Sequence, residues 1–287
     1  MPEVLRAIAH AKVNLVLEVL GVRPDGYHEI DTILQEVELG DVVAVEPSRD
    51  WSISVTGRWA AGTPADDSNL ALRAARLLAE SAGHAHEPAT IRLEKHIPPA
   101  GGLGGGASDA AATLKLLAKL WPGLTGRDLQ AVAEAVGSDE PFFLVGGTAR
   151  ARGRGERVEA LADLPSHDVV LFVPGQSIER KTARMFAALD RHPFDDGVQS
   201  AAFPIDASQP FRSDLVFNAF ERVAFDLFPW LADLWADLEA RTRMSVRLCG
   251  AGPCLFWIGR EGEGHHIAER AAGADCDVIL TRTVGRQ

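Results

Sequence analysis

The N-terminal part of the chain alternates apolar and polar residues with the period of two that is typical of β-strands. In residues 11–17 the apolar side chains share one face, whereas Lys12 and Asn14 share the other. Two further apolar segments lie between residues 32 and 45 and are separated by Gly40. The pattern predicts an N-terminal sheet with a break at Gly40, and it places two polar side chains side by side on an apolar strand.

After the predicted strands, apolar residues recur with the spacing of an α-helix. Residues 67–69 supply candidate N-caps for a helix that begins at Leu70. After a strand predicted at 91–97, a glycine cluster leads into a helix predicted at 110–121, which Pro122 ends. This order predicts that the glycine cluster connects a strand to the N-terminus of a helix.

The pattern changes after Gly155. A buried strand predicted at 169–173 is followed by helices near 182–189 and 218–238, and the tail has the order strand, strand, helix, strand. The segment 191–213 is rich in Pro, Asp, Ser and Phe, which predicts a long surface loop. The chain is therefore predicted to be an α+β protein with two domains, at residues 1–155 and 156–287.

Composition narrows the class of partner. Of the 287 residues 46% are hydrophobic, a proportion typical of a globular protein. The net charge of −11 would repel a phosphate backbone, so we expect no nucleic-acid partner. A small phosphorylated ligand stays compatible with this charge, because a local loop is enough to hold it.

The cellular compartment is predicted from the pattern of cysteines and from the length of the apolar stretches. The three cysteines form no C-x-x-C pair, which fits a reducing compartment and neither a disulfide framework nor a zinc site. No stretch approaches about 18 uninterrupted apolar residues, and the N-terminus lacks the pattern of a secretory leader. We therefore expect a cytoplasmic protein that does not bind membranes.

Five of the six residues 101–106 are glycine, and an Ala-rich helix follows at once. Residues without a Cβ allow backbone N–H groups to close around an anion at the helix N-terminus. A merely flexible loop is the competing interpretation, but the immediate start of the helix favours a phosphate site. The residues predicted to bind the phosphates are Pro99, Ala100, Gly101, Gly102, Leu103, Gly104, Gly105, Gly106, Ala107 and Ser108.

Two common phosphate-binding motifs do not fit this loop. A Walker A loop ends in Gly-Lys-Ser/Thr, and the chain contains no Gly-Lys dipeptide. Residues 102–107 match the dinucleotide fingerprint formally, but Pro98 and Pro99 separate the strand from the loop, and no second strand with a ribose-binding acid follows. P-loop NTPases are thereby excluded, and a Rossmann fold is disfavoured.

Three blocks resemble the GHMP kinases in the same order along the chain. The loop at 98–111 resembles the phosphate loop of that superfamily, residues 11–15 with 23–28 resemble a first motif, and 248–254 resembles a third. The resemblance covers most of the chain and weakens only at 191–213. In three places the chain departs from residues that are common in the family, where Ser, Asn and Thr are replaced by Ala107, Asp109 and Cys254.

The resemblance implies an ATP- and Mg²⁺-dependent kinase of two domains, with ATP and the acceptor meeting in the cleft between them. Lys-x-Asn-Leu at 12–15 with Asp-Gly-Tyr-His at 25–28 narrows the activity to one branch of the superfamily. That branch phosphorylates the 2-hydroxyl of 4-diphosphocytidyl-2-C-methyl-D-erythritol in non-mevalonate isoprenoid biosynthesis. The implied partner is this small molecule, and we expect a monomer or a weak homodimer.

Asp139 and Lys12 are the predicted catalytic residues. An Asp shortly before a Pro is ordinarily a turn or cap residue, but residues 137–143 resemble the catalytic aspartate segment of the family, which implies a base for the acceptor hydroxyl. Lys12 would neutralise charge on the transferred phosphoryl group and favour the ionised carboxylate. A solvated strand lysine is the alternative, which Asn14 on the same face argues against because an unpaired buried Lys is costly.

The predicted substrate-binding residues are Asn14, Tyr27, His28 and Phe186. Tyr27, the only tyrosine, follows a tight Asp-Gly turn and suits stacking on a base, while His28 suits hydrogen bonding at the base edge. The alternatives without a role in binding are a core tyrosine and a surface histidine. By resemblance the base is cytosine, and Phe186 matches a second stacking aromatic, although a helical Phe is more often a core residue.

Three further residues are assigned to the nucleotide and metal sites. Asn69 lies in a segment that resembles the one beside adenine, and Lys95 is placed near the phosphate loop, but an exposed loop and an edge-strand lysine explain them nearly as well. The Ser108 hydroxyl is predicted to bind Mg²⁺, a role compatible with capping the helix.

Two alternatives to this activity stay open. One is a GHMP kinase for another small alcohol, of the homoserine or mevalonate type, which Asp-Gly-Tyr-His at 25–28 argues against. The other is a non-catalytic nucleotide sensor, which would need phosphate contacts but no base. The presence of both Lys12 and Asp139 favours chemistry.

Overall fold

The computed structural model describes residues 4–84, 87–176, 180–204 and 211–286, and these form two compact units. Unit 1 consists of Met1–Ala11, Leu39–Pro99 and Gly104–Val145, and unit 2 of Lys12–Glu38, Ala100–Leu103 and Gly146–Gln287. Two long strands, β1 (Leu5–Val22) and β2 (His28–Pro47), contribute residues to both units. The single domain boundary after residue 155 stays a prediction.

Unit 1 contains a small sheet and an Ala-rich helical layer. Its remaining elements are β3 (Ser52–Thr56), α1 (Leu70–Ser81), β4 (Ala89–Glu94), α2 (Gly105–Leu120), α3 (Gly126–Val136) and α4 (Glu140–Val145). Strand β4 pairs antiparallel with β2 and parallel with β3. Ile91 and Leu93 of β4 point into the core, where small residues such as Ala74 and Ala110 allow α1 and α2 to approach closely.

The helix predicted after residues 67–69 is confirmed. Asn69 is the N-cap of α1, and its side-chain oxygen accepts the N–H of Ala71 at 2.9 Å. Helix α2 begins at Gly105, five residues earlier than the predicted start, because Gly104 adopts the left-handed conformation and ends the loop there. The glycine cluster therefore supplies the first turn of α2 itself.

The break predicted at Gly40 is wrong, because β2 continues to Pro47. A Cβ on Gly40 would lie 2.6 Å from the Cγ2 atom of Ile8, so glycine is needed here for a close approach of neighbouring chain segments. Asp41 is not a turn residue either, because its carboxylate is buried and accepts hydrogen bonds from the backbone N–H groups of His96 and Ile97. Gly40 and Asp41 therefore meet packing requirements and do not mark a chain reversal.

Unit 2 holds the remaining elements. They are β5 (Thr148–Gly153), β6 (Arg157–Ala160), β7 (His167–Val173), α5 (Lys181–Leu189), α6 (Val198–Ala202), a 3₁₀ turn (Ser213–Leu215), β8 (Phe217–Asn218), α7 (Glu221–Leu227), α8 (Pro229–Thr242), β9 (Arg247–Leu248), β10 (Leu255–Arg260), α9 (Gly264–Arg270) and β11 (Asp277–Arg282). Antiparallel strands in the order β11-β7-β10-β9 form one sheet, whose fully buried Phe172 belongs to the core under α7 and α8. The first part of β2 pairs with β5, and β1 pairs in parallel with β8.

Two predictions for unit 2 are wrong. The helix predicted at 218–238 is strand β8 followed by two helices, because Pro229 lacks the N–H that would continue α7 and instead begins α8. The surface loop predicted at 191–213 contains α6, where the buried Ser200 donates from both its N–H and its hydroxyl to the Glu18 carboxylate. Residues 205–210 of that loop lie outside the described residues.

Within the described ranges, no helix is both long enough and apolar enough to cross a lipid bilayer.

Candidate active site

The glycine loop alternates between left-handed and ordinary backbone conformations. Ala100, Gly102 and Gly104 have φ angles of +55°, +87° and +75°, whereas Gly101 and Leu103 are not in that region. Successive residues of this kind turn their N–H groups toward one point and form an anion-binding concavity. Because α2 begins directly afterwards with no side-chain cap on its first N–H groups, backbone donors are available for a phosphate.

The first half of the loop lies against the segment 249–254. A Cβ on Gly102 would lie 1.8 Å from the carbonyl oxygen of Cys249, and a Cβ on Gly101 would lie 2.5 Å from the Sγ atom of Cys254. The N–H of Cys254 donates to the carbonyl of Gly101 at 3.2 Å. Two of the predicted loop glycines therefore have a packing reason of their own, Gly102 against backbone and Gly101 against a side chain.

The second half of the loop is packed within unit 1. A Cβ on Gly105 would lie 3.0 Å from Cγ2 of Ile97, and one on Gly106 would lie 3.3 Å from Leu70. Ser108 is buried, and its N–H donates to the carbonyl of Gly104 at 2.9 Å. The helix start is thus firmly held, which suits a site that must present backbone donors without rearrangement.

Lys95 is buried beneath this helix, where its ammonium group forms ion pairs with the carboxylates of Asp41 and Asp109. All the observed partners of its side chain are carboxylates. The nucleotide contact predicted for Lys95 stays a prediction, and the contacts that are present connect β2 to α2.

Two carboxylates share the single ammonium in this cluster, so the cluster carries an excess negative charge when both are ionised. Burial raises the pKa of Asp109 to about 7, with Asp41 acting in the same direction and Lys95 opposing it. One oxygen of Asp109, Oδ1, is buried without a hydrogen-bond partner in the described structure. Asp109 is therefore the strained member of the cluster, and it stands at a position where the resemblance expects Asn.

Lys12 and Asn14 are buried together, as their shared strand face predicts. The ammonium of Lys12 donates to Oδ1 of Asn14 at 2.7 Å, and the amide of Asn14 donates to Oγ1 of Thr32 at 2.9 Å. A Cβ on Gly250 would lie 3.3 Å from the Lys12 nitrogen. The ammonium is therefore held at a defined place beside the segment 249–254.

Asp139 is half-buried directly before α4. The following residue, Glu140, is buried. Burial raises the pKa of Glu140 to about 7, and the neighbouring Asp139 carboxylate adds to that rise. The backbone of the predicted base is thus fixed at the first turn of a helix.

Tyr27, His28 and Phe186 lie in unit 2 with different exposures. Tyr27 is 51% exposed, and the guanidinium of Arg154 lies 5.2 Å from its ring centroid. The ring of His28 is stacked on Phe186, with centroids 4.3 Å apart and planes inclined by 17°. Phe186 therefore contacts an imidazole in this structure, and its predicted contact with a base stays a prediction.

Three residues that contact predicted site residues were missed from the sequence. Asp190 accepts a hydrogen bond from His28, Arg154 covers Tyr27, and Asp41 is paired with Lys95. Asp41 adjoins a glycine and reads as a turn residue, and charged residues at 154 and 190 read as surface residues. No local pattern distinguishes them, because each is defined by a partner more than 50 residues away.

Comparison with known proteins places these features in a family. Residues 69–147 match the family model described as the GHMP kinases N terminal domain. A protein of Pelotomaculum thermopropionicum named 4-diphosphocytidyl-2-C-methyl-D-erythritol kinase is 37% identical to the chain, over 98% of each. The chain belongs to the 4-diphosphocytidyl-2-C-methyl-D-erythritol kinase family. It is accordingly a small-molecule kinase that uses ATP, and the resemblance to GHMP kinases is confirmed.

Solved structures agree with this family and with the α+β fold class. A crystal structure of 4-(cytidine 5'-diphospho)-2C-methyl-D-erythritol kinase is 35% identical, has a TM-score of 0.74, and matches over 98% of this chain and 100% of the other. The mevalonate kinase of L. major also has a TM-score of 0.74, over 99% and 97% of the two chains, but is only 14% identical. The latter similarity shows the fold alone.

Gly102→Ala tests the close packing of the glycine loop. The new Cβ would collide with backbone, so we expect a loss of about 3 kcal/mol or more in the free energy of unfolding. Gly123→Ala is the matched control, because Gly123 also has a left-handed φ of +98° but has open space around its Cα, so its cost should be about 1 kcal/mol. Urea denaturation measures both. Equal losses in the two variants would contradict the packing role.

Asp109→Asn tests the charge of the buried cluster through pH. The raised pKa means that folded Asp109 binds its proton more tightly than unfolded Asp109, so this residue's contribution to stability falls as pH rises from about 4 toward 7. The variant lacks this loss, so its stability relative to the unmodified protein should increase between pH 5.5 and pH 8. Glu140 titrates in both proteins and cancels in the difference. Denaturation curves of both proteins at the two pH values measure this difference. If the difference in the free energy of unfolding is the same at both pH values, the expectation is wrong.

Proposed function

We propose that this chain transfers the γ-phosphoryl group of ATP to the 2-hydroxyl of 4-diphosphocytidyl-2-C-methyl-D-erythritol. The observation that carries the proposal is the 37% identity, over nearly the whole of both chains, with a relative named for that acceptor. A relative whose similarity were confined to the glycine loop would support only nucleotide binding. Here the similarity includes the segments that contain Lys12, Tyr27 and Asp139.

Asp139 is proposed as the base that accepts the proton of the attacking hydroxyl. Its half-buried position directly before the first turn of α4 supports a base at a defined place, as a base must lie within hydrogen-bond reach of the proton it accepts. Lys12 is proposed to neutralise charge on the transferred group, and its hydrogen bond to Asn14 supports a defined ammonium position. Asn14 is thereby proposed to orient Lys12 as well as to contact the acceptor.

The nucleotide is proposed to bind at residues 99–108, with Asn69 beside the adenine. The alternation of left-handed residues in the loop and the uncapped start of α2 support a phosphate cradle. Lys95 is proposed to act on the same loop through its carboxylate partners.

Mg²⁺ is proposed to accompany ATP, with the Ser108 hydroxyl as a protein ligand. Mg²⁺ retains most of its water and phosphate ligands in kinases, so a single hydroxyl at the start of α2 fits the ion better than a closed carboxylate cage would. Bound there, the ion would neutralise charge on the phosphates. A cytoplasmic location, a monomeric or weakly dimeric state, and the absence of nucleic-acid partners belong to the same proposal.

Asp139→Asn tests the base. The amide preserves the size of the side chain but cannot accept the proton, so we expect turnover to fall by about 10²- to 10⁴-fold while ATP affinity changes little. Steady-state kinetics with ATP, Mg²⁺ and the cytidine acceptor, together with calorimetric titration of ATP, separate these effects. Near-normal turnover at saturating substrate would remove Asp139 from the mechanism, and no transfer by the unmodified protein to cytidine, mevalonate or homoserine acceptors would favour a nucleotide sensor.

Tyr27→Ala tests the site of the acceptor base. Stacking contributes about 1 to 3 kcal/mol per base, so removing the exposed ring should weaken the cytidine acceptor by roughly 10- to 100-fold and leave ATP affinity within a few-fold. Tyr27→Phe retains the ring and is the matched control, with a mild expected effect. Binding titrations in which Tyr27→Ala weakens ATP as much as the acceptor would contradict the assignment.

A further inference from the structure

The segment 249–254 contains two residues whose backbone is left-handed. Gly250 and Gly252 have φ angles of +50° and +71°, a region that glycine enters and leaves at little cost. Backbone hydrogen bonds close the segment, from the N–H of Gly252 to the carbonyl of Cys249 at 2.7 Å and from the N–H of Cys249 to the carbonyl of Cys254 at 2.9 Å. The other carbonyl groups need partners from outside the segment if it is to keep one conformation.

Alternate carbonyl groups of this region accept hydrogen bonds from distant side chains. The amide of Asn218 donates to the carbonyl of Leu248 at 2.9 Å and to that of Gly250 at 2.8 Å. The ammonium of Lys181 donates to the carbonyl of Gly252. Asn218 belongs to β8 and Lys181 to α5, so the two halves of the segment are held from two different elements.

Lys181 extends from a fixed support. It is the first residue of α5, whose Met185 and Leu189 are buried in the core of unit 2. Ordering a long lysine side chain has an entropy cost, which a hydrogen bond from a charged donor can offset because it is stronger than one between neutral groups. The bond to Gly252 therefore stabilises one position of the segment.

The electrostatics of two buried thiols also locate the Lys181 ammonium group. Burial raises the pKa of Cys254 to about 12, and Lys181 opposes that rise. Burial raises the pKa of Cys249 as well, and there the ammonium groups of Lys12 and Lys181 both oppose the rise. Lys181 therefore lies close to the residues that begin and end the segment, and it shares one of these neighbours with Lys12.

The segment that Lys181 holds is packed on the first half of the glycine loop. The N–H of Cys254 donates to the carbonyl of Gly101, and the carbonyl oxygen of Cys249 leaves no room for a Cβ on Gly102. A shift of the segment would therefore displace Gly101 and Gly102. A cradle of backbone donors binds an anion well only when the donors are already in place, so the affinity for phosphates depends on this packing.

We infer that Lys181 is a positioning residue for the ATP phosphates, because its ammonium group holds the segment 249–254 against the glycine loop. The inference rests on the proposed binding of the nucleotide at residues 99–108. Lys181 acts through the carbonyl of Gly252 and is therefore not a catalytic residue. Its positive charge works in the same direction as its hydrogen bond, since a cation near the loop also favours an anionic ligand.

Lys181→Met tests the inference, because methionine keeps much of the length of the side chain but has no ammonium group. Loss of the charged hydrogen bond should raise the KM for ATP about 10-fold and leave the KM for the cytidine acceptor within about threefold. Lys181→Arg restores a charged donor and should recover most of the loss. Arg184→Met is the matched control, because it removes a positive charge from the same helix at a side chain that instead lies 5.5 Å from the ring centroid of Phe228. It should leave both KM values unchanged.

Hydrogen exchange follows the segment directly and needs no activity. The N–H of Cys254 is protected by its bond to Gly101, and it should exchange about 10-fold faster in Lys181→Met but at the unmodified rate in Arg184→Met. Lys181→Gln, which also removes the charge, should show the same selective effects on ATP and on exchange if Lys181→Met does not fold.

The outcomes separate the inference from the proposed function. An unchanged KM for ATP, unchanged exchange at Cys254, an equal loss in Arg184→Met, or an equal loss for the acceptor would overturn the inference. Calorimetric titration of a non-hydrolysable ATP analogue measures the same loss without transfer. If the unmodified protein fails to phosphorylate the cytidine acceptor while Lys181→Met still weakens this analogue selectively, the proposed acceptor is wrong and the role of Lys181 stands.

Discussion

The carbonyl oxygen of Cys249 comes so close to Gly102 that no side chain fits between them, and the geometry of the first half of the glycine loop depends on this contact. It requires the segment 249–254 to be held rigidly. Buried Asn218 supplies part of that support by donating to the carbonyls of Leu248 and Gly250, and its own oxygen accepts an N–H from the start of the next helix. A polar side chain on a two-residue strand thus determines where a loop more than 100 residues earlier can lie.

The same segment, residues 249–254, contacts both the glycine loop and the predicted catalytic residue Lys12. Gly250 has no side chain, which leaves the Lys12 ammonium close to its Cα and free to reach Asn14. A residue with a Cβ at 250 would compete for that space, and its left-handed φ of +50° already disfavours one. Gly101, Gly102 and Gly250 therefore each have a spatial reason that concerns another segment of the chain.

The sequence predicted the features that depend on local rules, and it failed where a distant partner decides. The start of α1 after Asn69 and the shared face of Lys12 and Asn14 follow from capping and strand periodicity, and both are found. The break at Gly40 and the helix across Pro229 were wrong because glycine and apolar spacing have more than one structural cause. Among the predicted site residues, the ion pairs of Lys95 could not be read from the sequence, since its two carboxylate partners lie 54 and 14 residues away.

The departures from the family pattern show why a resemblance has to be examined one contact at a time. An Asn at position 109 could donate hydrogen bonds from its amide and would carry no charge, whereas Asp109 adds a second carboxylate to a cluster with one ammonium. Burial opposes that charge, and the raised pKa means that near neutral pH a proton can take the place of the missing cation. Because the cluster lies under the helix whose N-terminus is proposed to face the phosphates, the neutral form of Asp109 is also the form that least opposes an anionic ligand. Asp109 is therefore compatible with the proposed phosphate binding when its carboxylate holds a proton, which an Asn at this position would not need.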